Sequence, residues 1–511
     1  MTRSTFLRGQ KGVSLAVLAG LAALAVTGPA LAQDKVLRIG SSILPAGQGH
    51  VHNGGGIVNA PTIQAFFDSM TYIDGKGDVV PGLATAWEAV GKGKWIFKLR
   101  PGVLFHNGEK LTAASVVSNV EFLMTDAGKA TNAMRTGLAP ISGARAVDEM
   151  TVEISTSQPS PLLARLGMDF RLHEPKAWND MGAAAFAKNP VGTGAFKVTD
   201  WTGERVRGEA FKQGWRPPKV DRLEITVLPE PAARVQALLS NQLEVAFDVP
   251  LDDQQKIEST GSRVYPVHYP AVVAMALRTT VDGPLKDRRV RQALNYGVNK
   301  EAYIASMMHG MTNAAGQPAA RNVFGHQPDI KPYPYDPAKA KALLAEAGYP
   351  NGLKLKGEVV VSRAEYAGLF QIVSANLAQA GIDLTITPIA LPELVKKVQG
   401  AMPWGDTVIR SSPYNAYPSV DPLIGINTVH ACKSQSYWTC DEAIEPVIKA
   451  ANEEFDPAKR AALVKQIMHR YHDEAWGIFL HDEVQLDGVA KRVGNYRSVN
   501  LVIDYHAIEL Q

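Results

Sequence analysis

Two histidines one residue apart, His50 and His52, stand in a glycine-rich stretch, and neutral imidazoles at that spacing could ligate a metal ion. Arg363 and Arg410 each carry a planar fork of donors that suits a carboxylate in two-point contact. Tyr414, Asn415 and Tyr417 follow Arg410 closely and could stack on, and hydrogen-bond to, an amide or sugar-like solute. Ser41, Ser42 and Asn53 add small polar groups to the stretch 41–59, which reads as a functional loop between ordered elements. These residue types hold ligands, and they make no recognisable catalytic set.

The motifs of common enzymes fail on inspection. Residues 189–194 (NPVGTG) resemble a phosphate-binding loop but lack its Gly-Lys-Ser/Thr ending, so a tight turn is expected there. No Gly-x-Ser-x-Gly elbow occurs. His173-Glu174 runs into Pro175 with no second histidine four positions after the first, so it is not a zinc helix. The clusters His472-Asp473-Glu474 and His481-Asp482-Glu483 read as solvated faces or salt-bridge partners.

The N-terminus places the protein. Arg3, Arg8 and Lys11 precede an apolar run over 12–27, Gly28-Pro29 breaks it, and Ala30-Leu31-Ala32 offers small residues for a signal peptidase. Cleavage is expected after Ala32, with export to the periplasm and no lipid anchor, since no cysteine stands near the cut. Losing the three basic residues takes the formal charge from +3 to zero, which gives no support for nucleic-acid or membrane-surface binding. Cys432 and Cys440, the only cysteines, are expected to pair in an oxidising compartment. A metal reading of that pair does not match zinc ligand spacing.

The remaining chain exceeds the ~250 residues of one core, so two or three domains are expected. Residues 36–40 read as a strand ending on glycine, 95–100 as a half-buried strand, and 112–124 as a helix capped by Thr112. The order strand 223–228, helix after Pro229 and Pro231, strand 243–247 is that of a parallel α/β layer. The pattern restarts after about residue 275. Helices near 287–296, from Asp336-Pro337 and from Asp456-Pro457 are expected, with strands at 355–361 and 384–388 around a helix at 364–380. Two α/β lobes with a hinge fit this layout.

Four segments then resemble, in order, the bacterial extracellular solute-binding proteins of family 5, the peptide, glutathione and nickel receptors of ABC importers. They are Pro81-Gly82-Leu83-Ala84 with Trp87 and the run 95–108 ending Phe105-His106-Asn107-Gly108; 189–196 (NPVGTGAF); 287–296 (DRRVRQALNY); and 335–349 (YDPAKAKALLAEAGY). The resemblance implies a bilobal periplasmic-binding-protein fold with a small inserted α+β domain. The first lobe would be 33–66, 190–275 and 484–511, the insert 67–189, and the second lobe 276–483. It also implies a receptor rather than an enzyme, with a small-molecule solute and the permease and ATPase subunits of an importer as partners. A monomer without cofactor or membrane anchor is expected.

The solute is harder to read. Peptide receptors of this family carry an amine-binding Asp three residues before an Asp-Pro pair; here Asp421-Pro422 is present and Pro418 stands at that place. The matching Trp is absent unless Tyr414 or Tyr417 replaces it. Arg363 lies near where such receptors place a carboxylate-binding Arg. An anionic or neutral peptide-like or sugar-like solute is therefore expected, rather than a free-amine dipeptide. The alternatives are a nickel-type receptor using His50 and His52, and, from another class, a secreted hydrolase with a His-Asp-Glu cluster as base.

Overall fold

The computed structural model describes residues 34–54, 59–360, 364–398, 400–432 and 437–511; the expected signal segment and Arg363 lie outside them. One large sheet organises the described chain. Its strands are β1 (Val36–Ser41), β2 (Phe196–Trp201), β3 (Arg205–Ala210), β4 (Arg222–Val227), β5 (Val245–Ala246), β6 (Arg263–Leu277), β7 (Leu353–Val360), β8 (Ile382–Ile389), β9 (Ile409–Ser411), β10 (Tyr414–Asn415) and β11 (Gly477–Val489). They lie in the order β8-β7-β9-β6-β11-β5-β1-β4-β3-β2, with β10 also paired to β6. β1 pairs in parallel with β4 and β5 on one side, and β7 with β8 and β9 on the other. Both halves are thus α/β layers, as the strand–helix–strand pattern requires.

The halves meet in β6 and β11. Each strand is long enough to span roughly 40 Å, and together they pair antiparallel from Arg263↔Val489 to Ala276↔Gly477. Most positions of both strands are buried, which suits the apolar, β-branched runs in their sequences. The ladder has its widest break at mid-length, where Tyr269, Pro270 and Ala271 oppose Glu483 alone between the pairs His268↔Val484 and Val272↔Asp482, and a one-residue shift follows between Val273 and Ala274. Pro270 has no N–H to give a ladder, so the break falls where the chemistry demands it. The Pro270 carbonyl accepts from Ala416 N at 2.8 Å instead.

Separate cores lie on each side of this ribbon. Leu37, Ile39, Phe66, Phe196, Ile225 and Leu486 belong to one. Past the break, Val273, Met275 and Leu277 face a core with Val290, Leu294, Leu377 and Ile409. Val272 and Ala274, on the opposite face, join Tyr414, Val464, Met468 and Phe479. The alternation along one strand feeds two cores, as a period of two dictates. Helix starts follow the capping chemistry: Asp287 accepts from Arg289 N, Asp336 from Lys339 N, and Asp456 from Ala458 N and Lys459 N. The strand expected over 243–247 shrinks to Val245–Ala246: Leu243 N turns back to the Ala237 carbonyl, while Glu244 N and Phe247 N on either side bond to the Arg38 and Gly40 carbonyls of β1.

Between β1 and β2 lies a fourth core, around Phe97, Phe105, Val116, Val120 and Val152. It is covered by a four-stranded antiparallel sheet of Ala84–Ala89, Lys94–Leu99, Thr151–Thr156 and Ile141–Asp148 and by the helix Ala113–Met124. The turn 189–194 fastens this region to the first half. His106 Nε2 lies 3.1 Å from the Gly194 carbonyl, and Gly192 N donates to His106 Nδ1 at 3.2 Å. A Cβ on Gly192 would stand 2.2 Å from the Phe66 carbonyl oxygen, so the glycine serves close backbone approach rather than a phosphate.

The cluster His481-Asp482-Glu483 is no solvated face. His481 and Asp482 are buried in β11, a central strand covered on both sides, and His481 Nδ1 lies 3.0 Å from the Tyr303 hydroxyl. Burial pushes the Asp482 carboxyl up to about 7, only partly opposed by Arg321. The folded form therefore keeps its proton while the unfolded chain, titrating near 4, has lost it. Stability falls as pH rises from about 4 to 7 and the loss is complete above that window. Asp482→Asn is expected to stabilise the fold at pH 8 by about 1–3 kcal/mol, with the gain vanishing near pH 4; urea unfolding at both pH values checks it, and an equal effect at both would contradict this reading.

Candidate functional site

The residues singled out in the sequence separate into three places. Those of the first loop pack against the inserted region. Ser41 donates its hydroxyl to the Ile43 carbonyl at 2.8 Å, Ser42 is half-buried, and the exposed Asn53 accepts from Asn132 N. His52 is buried, with its Nε2 3.2 Å from Nδ1 of His173. His50 meets Trp178 edge-on at 5.1 Å, and His173 stacks on the same indole at 4.2 Å. Burial, then the neighbouring His50, lowers His52 to about 3, so it is neutral at any physiological pH. The arrangement is an aromatic joint; among the described residues no group of three or more His, Cys, Asp or Glu is placed to hold a metal ion.

The second place is built around Arg410. Ile409, its neighbour on β9, points into one core, so Arg410 points to the other face. Its guanidinium carbon lies 5.5 Å from the Trp404 ring and 5.0 Å from Trp438. Tyr414 stacks on His430 at 3.7 Å, and Ser412 Oγ lies 3.4 Å from His430 Nε2. Arg410 is 2% exposed, and its Nε and Nη2 have no hydrogen-bond partner among the described residues. The same holds for Tyr414 OH, His430 Nδ1 and Trp438 Nε1. Burial lowers the Arg410 pKa to about 10, so it stays charged at neutral pH. A buried guanidinium without a carboxylate costs several kcal/mol, and in the chamber around it the Tyr414 hydroxyl and Trp438 Nε1–H are donors left unused among the described residues.

Cys432 and Cys440 are joined, as expected. The bond clips together two stretches: Cys432 follows His430 by two residues, and Trp438 precedes Cys440 by two. Two walls of the Arg410 chamber are thereby held by one covalent link.

The third place is where the insert touches the segment after Asn415, whose Oδ1 accepts from Tyr417 N at 2.9 Å. Arg165 donates to the Ser419 carbonyl at 2.8 Å and the Val420 carbonyl at 3.2 Å. Tyr417 donates its hydroxyl to Asp169 at 3.2 Å, and Arg171 donates to the same carboxylate oxygen at 2.8 Å. A Cβ on Gly137 would lie 3.1 Å from Pro418 Cγ, so the two regions are in close contact. Asp421, by contrast, is structural: it accepts from Leu423 N at a helix start and pairs with buried Arg460. The sequence reading missed Arg165, Asp169, Arg171, His430, Trp404 and Trp438. Two charges in 168–172 (MDFRL), flanked on both sides by apolar residues, were the available signal.

The fold is that of the periplasmic binding proteins. A solved structure of an ABC transporter-associated periplasmic binding protein from Helicobacter pylori, in complex with peptide STSA, superimposes with a TM-score of 0.73 at 23% identity, covering 93% of this chain and 98% of that one. Within that class the chain belongs to the bacterial extracellular solute-binding proteins, family 5, whose middle region matches residues 78–429, more than half the sequence. It is 28% identical to the dipeptide-binding protein of Escherichia coli (strain K12), over 93% of this chain and 95% of that one. It is 25% identical to a glutathione-binding protein of Pectobacterium atrosepticum, over 94% and 95%. Membership makes this chain a solute receptor rather than an enzyme.

Replacing both Cys432 and Cys440 by Ser is expected to cost at most ~3 kcal/mol, since the closed loop is short. It should also weaken solute capture several-fold by freeing His430 and Trp438. Unfolding curves and calorimetry check it; unchanged affinity would detach the disulfide from the site.

Proposed function

We propose that this protein is exported to the periplasm by cleavage after Ala32, captures a small peptide-like solute by closing two lobes over it, and passes it to the permease of an ABC importer. The lobes would be 33–66 with 190–275 and 484–511, and 276–483, with 67–189 as the insert. The break in the β6–β11 ladder at Tyr269–Ala271, opposite Glu483, supports a hinge there. Among the described residues no helix is long and apolar enough to cross a membrane, which suits a carrier that diffuses to its permease. Trapping and release need no covalent step. Closure strips water from the site and so strengthens each polar contact within it.

The observation that carries this reading is the unpaired, buried Arg410 ringed by open donors. The solute's anionic group would complete it, as the fork of Arg410 suits a carboxylate. Tyr414 stands beside it, Asn415 and Tyr417 line the way toward the insert, and Arg363 is kept as a second candidate cation. Ser41, Ser42, His50 and Asn53 are weaker candidates from the first-lobe loop.

Arg410→Met tests the assignment in two directions. Removing an uncompensated buried charge should stabilise the empty protein by about 1–3 kcal/mol. The same change should weaken binding of the solute, recovered by denaturing the purified wild type and identified by mass spectrometry, at least tenfold. A variant that binds normally would remove Arg410 from the site.

A further inference from the structure

The pair Asp169–Arg171 is left with open positions of both signs. Asp169 is 3% and Arg171 1% exposed. One carboxylate oxygen, Oδ1, takes both the Arg171 Nη1 bond at 2.8 Å and the Tyr417 hydroxyl at 3.2 Å. Among the described residues the other, Oδ2, accepts nothing, and Arg171 Nε and Nη2 donate to nothing. Ser419, fully buried two residues beyond Tyr417, has an unpartnered hydroxyl as well. Buried polar groups are ordinarily satisfied, and each left open in a charged pair is costly. A free acceptor and two free donors therefore stand together between the insert and the segment 417–419.

We propose that Asp169 and Arg171 bind a dipolar end of the solute, an α-ammonium group with a carbonyl or carboxylate next to it. The ammonium goes to Asp169 Oδ2 and its neighbouring oxygen to Arg171, with Ser419 as a further partner. Asp169 thereby takes over the part that Pro418 cannot play, from a different region of the chain but against the same segment: Pro418 lies between Tyr417, which touches Asp169, and Ser419. The expectation that a free amine is disfavoured falls with this assignment. Arg410, at the start of the same segment, adds to this region a buried cation that no carboxylate among the described residues pairs, so the complementary solute has an amino-acid end and a separate anionic group. This inference rests on the receptor reading above.

The test offers the purified mature protein the low-molecular-mass fraction of yeast extract, untreated and after N-acetylation with acetic anhydride. The protein is desalted and denatured, and the released solutes, acetylated or not, are quantified by mass spectrometry without labelling, a second aliquot being dansylated only to mark those with a free amine. The wild type is expected to retain an amine-reactive solute from the untreated fraction and at least tenfold less of it from the acetylated one. Asp169→Asn should lower retention at least tenfold, and Arg171→Lys, which keeps the charge but loses the fork, less severely. Thermal melts establish that the variants are folded, and the acetylation arm decides the matter on the wild type alone if they are not. A retained solute without a free amine, equal retention from the acetylated fraction, or undiminished retention by folded Asp169→Asn overturns the inference and leaves the receptor reading standing. Retention of nothing from either fraction overturns the receptor reading itself, and this assignment with it.

Discussion

The antiparallel pairing of β6 with β11 is the interaction on which the rest of the structure depends. Two α/β layers that shared no strand could drift apart, and layers sharing an unbroken ladder could not move. Here the ladder shifts register at Tyr269–Ala271 opposite Glu483, and again between Val273 and Ala274. Backbone hydrogen bonds hold the paired stretches in register, and the wider first shift is where the hinge is proposed. Both strands are almost wholly buried, so the register itself is strongly specified.

Around that ribbon the protein tolerates polar arrangements that a purely structural core would reject. Arg410 sits among Trp404, Trp438, Tyr414 and His430 without a counter-charge. Asp169 and Arg171 satisfy each other only in part. Both lie beside the segment that begins at β9 and runs through β10 to Ser419, and β10 pairs with β6 next to the break. Open valences at this place lower the stability of the empty protein, and they are the basis on which capture of a charged, dipolar guest is proposed. The same logic separates Asp421 from the site: paired with Arg460 and capping a helix, it has nothing left to offer.

Much of the scaffold was legible in the chain because it follows local rules. Asp-Pro starts, alternating strands and the glycines of 189–194 all behave as their chemistry dictates, and the last are explained by contact with Phe66. Arg410, Tyr414 and Tyr417 stand out in the chain because a cation followed by aromatics is a local pattern. Asp169 and Arg171 do not, because their contact with Tyr417 arises only when residues 169–171 meet a segment some 250 positions later in sequence. His481 and Asp482 read as a solvated face or as salt-bridge partners; Asp482 does pair with Arg321 at 3.7 Å, but elements distant in the chain cover this central strand and bury both residues. His50 and His52 suggested a metal by spacing alone, whereas packing on Trp178, Phe122 and His173 gives them a role between regions.

Small-angle X-ray scattering on the monodisperse mature protein, with and without the solute recovered from it, tests the central claim most directly. Bending at Pro270 and Glu483 predicts a smaller radius of gyration and maximum dimension when the solute is bound. Identical scattering in both states, at saturating solute, would contradict the hinge.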